Sequence, residues 1–320
     1  MHYALRLVPM VLLLAASAGA SAQSLQEVRS LVEARKPAAP AAAEALVKRT
    51  PDDADAWVVV TRARLQARQP EKAIAAAQKA TQLAPTNAQA FYWLGNAYGN
   101  RIGEVNMLSK MALAPKLRDA FEQAVRLDPA LLDARSSLSE FYLQAPAAMG
   151  GGVDKARAQA SAIGKYDRAR GLLVQARIAM HEKKPEQALA AYEQAHALKP
   201  RDAQVRLALI SAYQAGARWK DAYAMATKWT SEEPRNAAPL YQVGRIAAES
   251  GQYLGEGEAA LRKYLTLALE PGNPEPKHAR YRLGQVLGQA GRKEEARVEL
   301  QAALKIDPAF KPAREAMASL

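Results

Sequence analysis

Three histidines are the residues best suited to chemistry, because an imidazole can act as a general base or bind a metal ion. Apart from His2, they are His181, His196 and His278. No two of them have the i, i+4 spacing that puts two ligands on one helix face, and a zinc site needs three or four ligands. The chain of 320 residues also has no cysteine, no G-x-S-x-G motif and no G-x-x-x-x-G-K-[ST] motif. We therefore expect a non-enzymatic protein with no metal and no cofactor.

A run of three glycines, Gly150 to Gly152, precedes a segment that contains Lys155. Backbone N–H groups at the start of a helix can hold a phosphate, and the helix dipole favours that anion. The run lacks the lysine-threonine ending of a phosphate-binding loop, however. Because glycine is permissive in loops, the sequence favours a flexible joint at which an inserted loop turns back.

The sequence around these residues is organised as pairs of short helices, and residues 277–310 show the pattern most clearly. The apolar positions are Leu283, Gly284 and Leu287 in the first helix and Ala296, Leu300 and Ala303 in the second. This spacing has the helical period. Gly291 separates the two helices, and Pro308 ends the pair because proline cannot continue a helix. No β-branched run or Asn-Gly pair argues for a sheet.

The same pattern recurs along the chain, which predicts a repeat protein. Residues 169–202, 203–236 and 277–310 are units of 34 residues, and Pro51 and Pro85 are also 34 residues apart. The unit at residues 237–276 is longer. Residues 311–320 are predicted to form a capping helix, since the exposed end of a solenoid needs a cover with one polar face.

Extra sequence interrupts the repeats near residues 101–114, 145–155 and 270–276. In the first insertion, Ile102, Val105, Leu108 and Met111 form an apolar stripe at helical spacing. We expect this insertion to lengthen the neighbouring helices and to pack on the solenoid.

The markers of the repeat are a large residue near the start, a Leu-Gly pair, a tyrosine, an alanine in the second helix and a closing proline. Examples are Trp57, Leu94-Gly95, Tyr98, Ala222 and Pro85. This pattern resembles the tetratricopeptide repeat over nearly all of residues 24–320. The resemblance implies an all-α, right-handed superhelical solenoid of about eight helix pairs, followed by the C-terminal capping helix. It makes residues 23–320 a single domain.

The resemblance also implies a binding groove, because the first helices of such units line the concave face. Mapped onto this chain, the groove positions are Arg62, Tyr92, Asn96, Asn100, Glu140, Arg170, Arg177, Tyr241, Arg245, Tyr281 and Arg282. Asparagine can pair with peptide amides, arginine with carboxylates, and tyrosine supplies rigid contact area. The mixture suits a peptide or helix of a partner protein.

The first 22 residues resemble a secretory signal peptide. Arg6 gives a positive start, residues 7–16 are apolar, and small residues lead to Ala22. The alternative is a transmembrane anchor, but a span needs ~20 apolar residues, and this run is shorter and contains Pro9. We expect cleavage after Ala22, export to the periplasm of a Gram-negative bacterium, and no transmembrane segment in residues 23–320.

The net charge of +12 favours acidic partners. Two function classes follow. The first is a scaffold or adaptor of the cell envelope that binds a partner peptide or helix in its groove. The alternative is a basic solenoid that binds an anionic envelope glycan or a membrane surface. Neither class involves a nucleic acid.

Overall fold

The fold consists of helices stacked in pairs. A computed structural model describes residues 23–320, so the predicted signal peptide lies outside the described residues. In chain order the helices are α1 Leu25–Glu33, α2 Ala39–Arg49, α3 Ala54–Gln66, α4 Pro70–Leu83, α5 Ala88–Ile102, α6 Met107–Leu127, α7 Leu132–Gln144, α8 Val153–Tyr166, α9 Arg168–His181, α10 Pro185–Leu198, α11 Ala203–Ala215, α12 Trp219–Glu232, α13 Ala237–Ser250, α14 Leu254–Thr266, α15 Pro276–Gln289, α16 Lys293–Ile306 and α17 Lys311–Ala318. The prediction of an all-α solenoid of eight pairs with a capping helix is therefore confirmed.

Local sequence signals fix where the helices begin. The first helices of most pairs start after an Asp or Asn whose side chain accepts a hydrogen bond from a free backbone N–H group of the first turn. These caps are Asp53, Asn87, Asp167, Asp202 and Asn236. Two second helices, α4 and α10, start at a proline, Pro70 and Pro185, where the missing N–H group is not needed. The helix caps therefore recur along the chain together with the apolar positions.

Small residues let the two helices of a pair approach closely. Ala73, Ala222 and Ala296 on the second helices are fully buried. A Cβ atom added to Gly95 would lie 2.4 Å from Cε1 of Phe121, and one added to Gly284 would lie 2.7 Å from Cγ of Leu300. Both distances are shorter than any normal contact, so these positions leave no room for a larger side chain.

The first helices form the inner layer of the solenoid. Helix α1 contacts α3, α3 contacts α5, α7 contacts α9, and α13 contacts α15, whereas the second helices pack chiefly on first helices. No comparable contact joins α5 to α7. The same holds for α11 and α13, so the inner layer is less closely packed at two places, and the first insertion occurs beside the one between α5 and α7.

The three predicted insertions take different forms. Residues 101–114 supply the end of α5, a turn and the first two turns of α6, as expected for a helical extension. The expected packing is wrong for Leu108 and Met111, which are 78% and 52% exposed. Leu108 and Met111 lie on the face of these turns that no neighbouring helix covers, whereas Ala114 at their end is buried. The second insertion contains a 3₁₀ turn at Ala147–Met149, and the third is a loop that ends at the start of α15.

Within residues 23–320, no helix combines the length and the apolar character that a bilayer crossing requires.

Replacing Gly284 with alanine should destabilise the protein by about 1–3 kcal/mol, because the new methyl group overpacks the contact with buried Leu300. Urea unfolding followed by circular dichroism measures this change. The matched control is Gly164→Ala in α8, where an added Cβ meets no atom within 4 Å. That substitution should stabilise the protein by up to about 1 kcal/mol through helix propensity. Equal effects of the two substitutions would contradict the close-approach interpretation.

Candidate functional site

A cavity of about 900 Å³ lies at the N-terminal end of the inner layer. We call it the basic cavity. It is bounded by the turns that follow α1 and α3 and by the inner helix α5. Its polar and aromatic lining residues are Glu33, Arg35, Lys36, Arg62, Gln66, Arg68, Trp93, Asn96, Asn100 and Glu275. Three predicted groove residues, Arg62, Asn96 and Asn100, are therefore brought together here.

Arg62 is held in place by two contacts within the cavity. Its guanidinium lies 5.1 Å from the centre of the Trp93 ring, a cation–π geometry. Its Nη1 atom lies 3.4 Å from Oε1 of Glu33. Only 19% of the Arg62 side chain is exposed. The residue therefore presents a fixed positive edge rather than a mobile charge.

Asn96 and Asn100 present hydrogen-bond acceptors along α5. The Nδ2 atom of Asn96 donates to the carbonyl of Tyr92 at 2.8 Å, and that of Asn100 donates to the carbonyl of Asn96 at 2.9 Å. Each side-chain oxygen is left to accept from another group. Backbone N–H groups of an extended peptide are suitable donors for such a row.

Three cations of the basic cavity were not foreseen from the sequence. Arg35, Lys36 and Arg68 are exposed, and none of them forms an ion pair within residues 23–320. Arg35 and Arg68 have positive φ angles of 49° and 55°. Both lie in the turn between paired helices, where the last unit has Gly291. The sequence signal for these two residues was an arginine at the turn position where the last unit has glycine. It was missed because the groove positions implied by the resemblance include only helical residues.

Glu275 reaches the basic cavity from the distant loop before α15. Its hydrogen bond with Lys277 lowers the pKa of its carboxyl below the ordinary value, and the positive charge of Arg68 acts in the same direction. The superhelix therefore brings the second and the last helix pairs to opposite sides of one cavity.

A second cavity, of about 710 Å³, lies where α5 and α7 separate. We call it the apolar pocket. Its apolar wall comprises Ile102, Met107, Leu117, Phe121, Phe141 and Met149. Asn96 and Asn100 line this pocket as well as the basic cavity, so the two cavities adjoin along α5. Glu140 lies on the rim, where Gln144 donates a hydrogen bond to it.

Tyr92 supports the wall between the two cavities instead of standing open in the groove. Its ring packs edge-on against Trp93, with the centroids 5.2 Å apart, and lies 6.1 Å from Phe121. Burial raises the pKa of the Tyr92 hydroxyl above its ordinary value.

The central groove positions differ from one another. Arg170 pairs with Asp133 and also donates to Oγ of Ser136 at 3.3 Å, so its charge is compensated within the solenoid. Arg177 is exposed and forms no ion pair in the described part of the chain. Of these two arginines, Arg177 is the one open to a partner.

The two predicted groove tyrosines of the C-terminal half pack within the solenoid, although Tyr281 is half-buried and also lines a cavity of about 620 Å³ beside the capping helix. Tyr241 is only 8% exposed and packs 5.5 Å from Tyr264, so its prediction as a contact residue is wrong, since α14 and α15 close over it. Tyr281 packs edge-on against Phe310, 5.8 Å away, beside the capping helix.

The carboxylate of Glu249 pairs with both Arg245 and Arg282. Nη2 of Arg282 lies 3.0 Å from Oε1 of Glu249, and Nε of Arg245 lies 3.6 Å from the same atom. Gln214 donates to the other carboxylate oxygen at 3.0 Å. This cluster joins α11, α13 and α15, which explains why two predicted groove arginines serve stability instead.

The histidines and the glycine run do not form a chemical site. His181 is exposed, whereas burial lowers the pKa of His196 and of His278. No group of three or more His, Asp or Glu residues is placed to hold a metal ion within residues 23–320. Nζ of Lys155 donates to the carbonyl of Gly150 at 2.9 Å, which closes the inserted loop. The predicted joint at Gly150 has a positive φ of 91°.

Comparison with sequence families and solved structures gives a consistent result. Three family models, each described as a tetratricopeptide repeat, match residues 25–88 and 61–98, residues 179–246, and residues 278–310. Together they match more than half of the chain. No curated protein sequence matches it.

Solved structures share the fold at low sequence identity. Yeast Tom70 is 14% identical, with a TM-score of 0.65 over 88% of this chain and 57% of that one. A tetratricopeptide repeat protein from Parabacteroides merdae is 12% identical, with a TM-score of 0.51 over 86% and 97% of the two chains. A thermophilic protein of Thermus thermophilus, also described as having these repeats, is 19% identical, with a TM-score of 0.51 over 60% and 100%. At these identities the likeness shows the fold alone.

Replacing Glu249 with glutamine should destabilise the protein by about 1–3 kcal/mol, because two partly buried arginines lose their shared counter-charge. Chemical unfolding in low salt measures the change. The matched control is Glu315→Gln, which breaks an exposed ion pair with Lys311 and should change stability by less than about 1 kcal/mol. A neutral result for Glu249→Gln would return Arg245 and Arg282 to the list of groove candidates.

Proposed function

Because the chain belongs to the tetratricopeptide-repeat family, a family of protein-interaction modules, we propose that it is a non-enzymatic scaffold that binds a segment of a partner protein along its inner helices. The observation that carries this proposal is the pair of adjoining cavities that share Asn96 and Asn100. One cavity supplies cations and the other an apolar wall, while the shared asparagines supply acceptors for backbone N–H groups. A peptide segment has all three complementary features.

The binding groove of this proposal runs along the inner helices α3, α5 and α9 and leaves out α13 and α15. Arg62, Asn96, Asn100 and the exposed Arg177 are its retained members. A few well-placed residues commonly carry most of the binding energy of an interface. The cavities around α5 can therefore suffice without the C-terminal positions.

The second candidate function is binding of an anionic envelope glycan or a membrane surface. The net charge of +12 favours it. Many surface arginines are paired with carboxylates, however, as Arg292 is with Glu258 and Glu295. Pairing reduces the open positive charge outside the groove. The peptide scaffold is therefore the preferred proposal.

Photo-crosslinking in bacterial cells separates the two candidates. A photoreactive amino acid at the exposed groove position Asn100, and separately at Arg177, should yield a discrete protein adduct. The control places the same photoreactive amino acid at Ala75, an exposed position on the second helix α4. Adducts to lipid or glycan, or equal labelling from Ala75, would reject the groove scaffold in favour of the charged surface.

The proposed site of action is the bacterial cell envelope, and the proposed location is the periplasm. The support is the pattern of residues 1–22, which combines Arg6, an apolar run and small residues before Gln23. The full chain expressed in a Gram-negative bacterium should be found in the periplasmic fraction, about 22 residues shorter than its coding sequence, as signal cleavage predicts. A chain lacking residues 1–22 should stay in the cytoplasm. An uncleaved full-length chain in the membrane fraction would support the anchor alternative.

A further inference from the structure

We infer that the partner segment is acidic and carries apolar side chains next to its acidic residues, an inference that rests on the proposed scaffold function. The acidic part would lie in the basic cavity and the apolar part in the apolar pocket. The occupant is thus a protein segment of stated chemistry, chosen by the charge and the polarity of the two cavities.

The basic cavity has open positive charge. Its two acidic residues already have partners, since Glu33 pairs with Arg62 and Glu275 pairs with Lys277. Its remaining cations, described above, have no acidic partner within residues 23–320. An acidic segment would supply the missing counter-charges, and its carboxylates match the guanidinium groups geometrically.

The backbone of two turns places Arg35 and Arg68 at the basic cavity. Both adopt left-handed backbone conformations that disfavour residues with a Cβ atom. The corresponding turns near the C-terminal end use Gly251 and Gly291, at φ angles of 72° and 77°. Lys183 and Ala217 adopt the same conformation at the equivalent position of their turns, with φ angles of 59° and 53°, so the conformation belongs to the turn of the repeat and not to binding. The arginines bring charge to the cavity where glycine would suit the turn better.

The apolar pocket continues into an uncovered surface. Met107 lines the pocket and is 68% exposed, and Leu108 and Met111 are exposed on the same turns of α6. Large exposed apolar side chains that lie together mark interaction sites. Leu117 and Phe121 form the buried floor. Apolar side chains of a partner would contact both the buried floor and the exposed apolar residues of α6.

The arrangement of the two cavities favours a protein segment over a lipid surface. The cations and the apolar wall lie on opposite sides of α5, inside concave spaces of about 900 and 710 Å³. A flat bilayer surface would meet the convex side of the solenoid instead. A single chain can pass along Asn96 and Asn100 from one cavity into the other.

The test is selection of a phage-displayed random-peptide library on the purified protein, followed by fluorescence-anisotropy titration of the most enriched peptide. Enriched peptides should carry Asp or Glu beside Leu, Met or aromatic residues. Arg68→Gly should weaken binding by about two- to fivefold, the range for one exposed ion pair, and Arg35→Gly/Arg68→Gly should weaken it further. The matched control is Lys183→Gly, which removes a cation at φ 59° in a turn remote from both cavities and should leave binding unchanged.

A second pair of variants tests the apolar half. Met107→Glu should weaken binding of the same peptide, because it places a carboxylate at the mouth of the apolar pocket. Val298→Glu, at a residue that is 62% exposed on α16, is the control and should have no effect. Both are surface substitutions, so the fold should be retained, and circular dichroism checks this.

The outcomes separate the inference from the function on which it rests. Peptides that bind in the groove without acidic residues, or that bind Arg35→Gly/Arg68→Gly as well as Lys183→Gly, would overturn the inference and leave the scaffold intact. No enrichment over an unrelated control protein, or enrichment that neither Met107→Glu nor Arg68→Gly reduces, would overturn both.

Discussion

The close approach of paired helices is the constraint on which the structure depends. Glycine and alanine at the contact leave so little space that a side chain of one helix packs directly on the backbone of the next, as that of Leu300 does at Gly284. A protein packed in this way gains stability from many small local contacts rather than from one deep core. Each unit then needs only its neighbours, and the outward and inward faces of the helices stay available for other tasks.

The local nature of the packing allows one solenoid to carry two kinds of surface. In the C-terminal half, large side chains such as Tyr241 and Trp229 fill the spaces between units, and Glu249 joins polar groups from three helices. In the N-terminal half, α5 and α7 separate, and the space becomes a pocket. The insertion that lengthens α6 lies beside this separation. A closely packed part and a part with an open pocket are thus built on the same repeated plan.

The sequence predicted the fold well because caps, small residues and apolar spacing all repeat with the same period. The resemblance implied that Arg62, Asn96 and Asn100 lie on the concave face, and in the structure they line one cavity. It failed at Tyr241 because a position within one unit does not reveal how closely the next unit covers it. It failed at Leu108 and Met111 because helical spacing predicts a helix face but not a neighbour to cover that face. Arg35 and Arg68 were missed because they lie in turns.

The position of Glu275 opposite the N-terminal units has a mechanical consequence. In a stack of units that touch only their neighbours, small rotations at each interface add up along the length of the stack. The width of the basic cavity would then change with the length of the stack. A ligand bound between the second unit and the loop before α15 would contact both and so restrict the rotations between units.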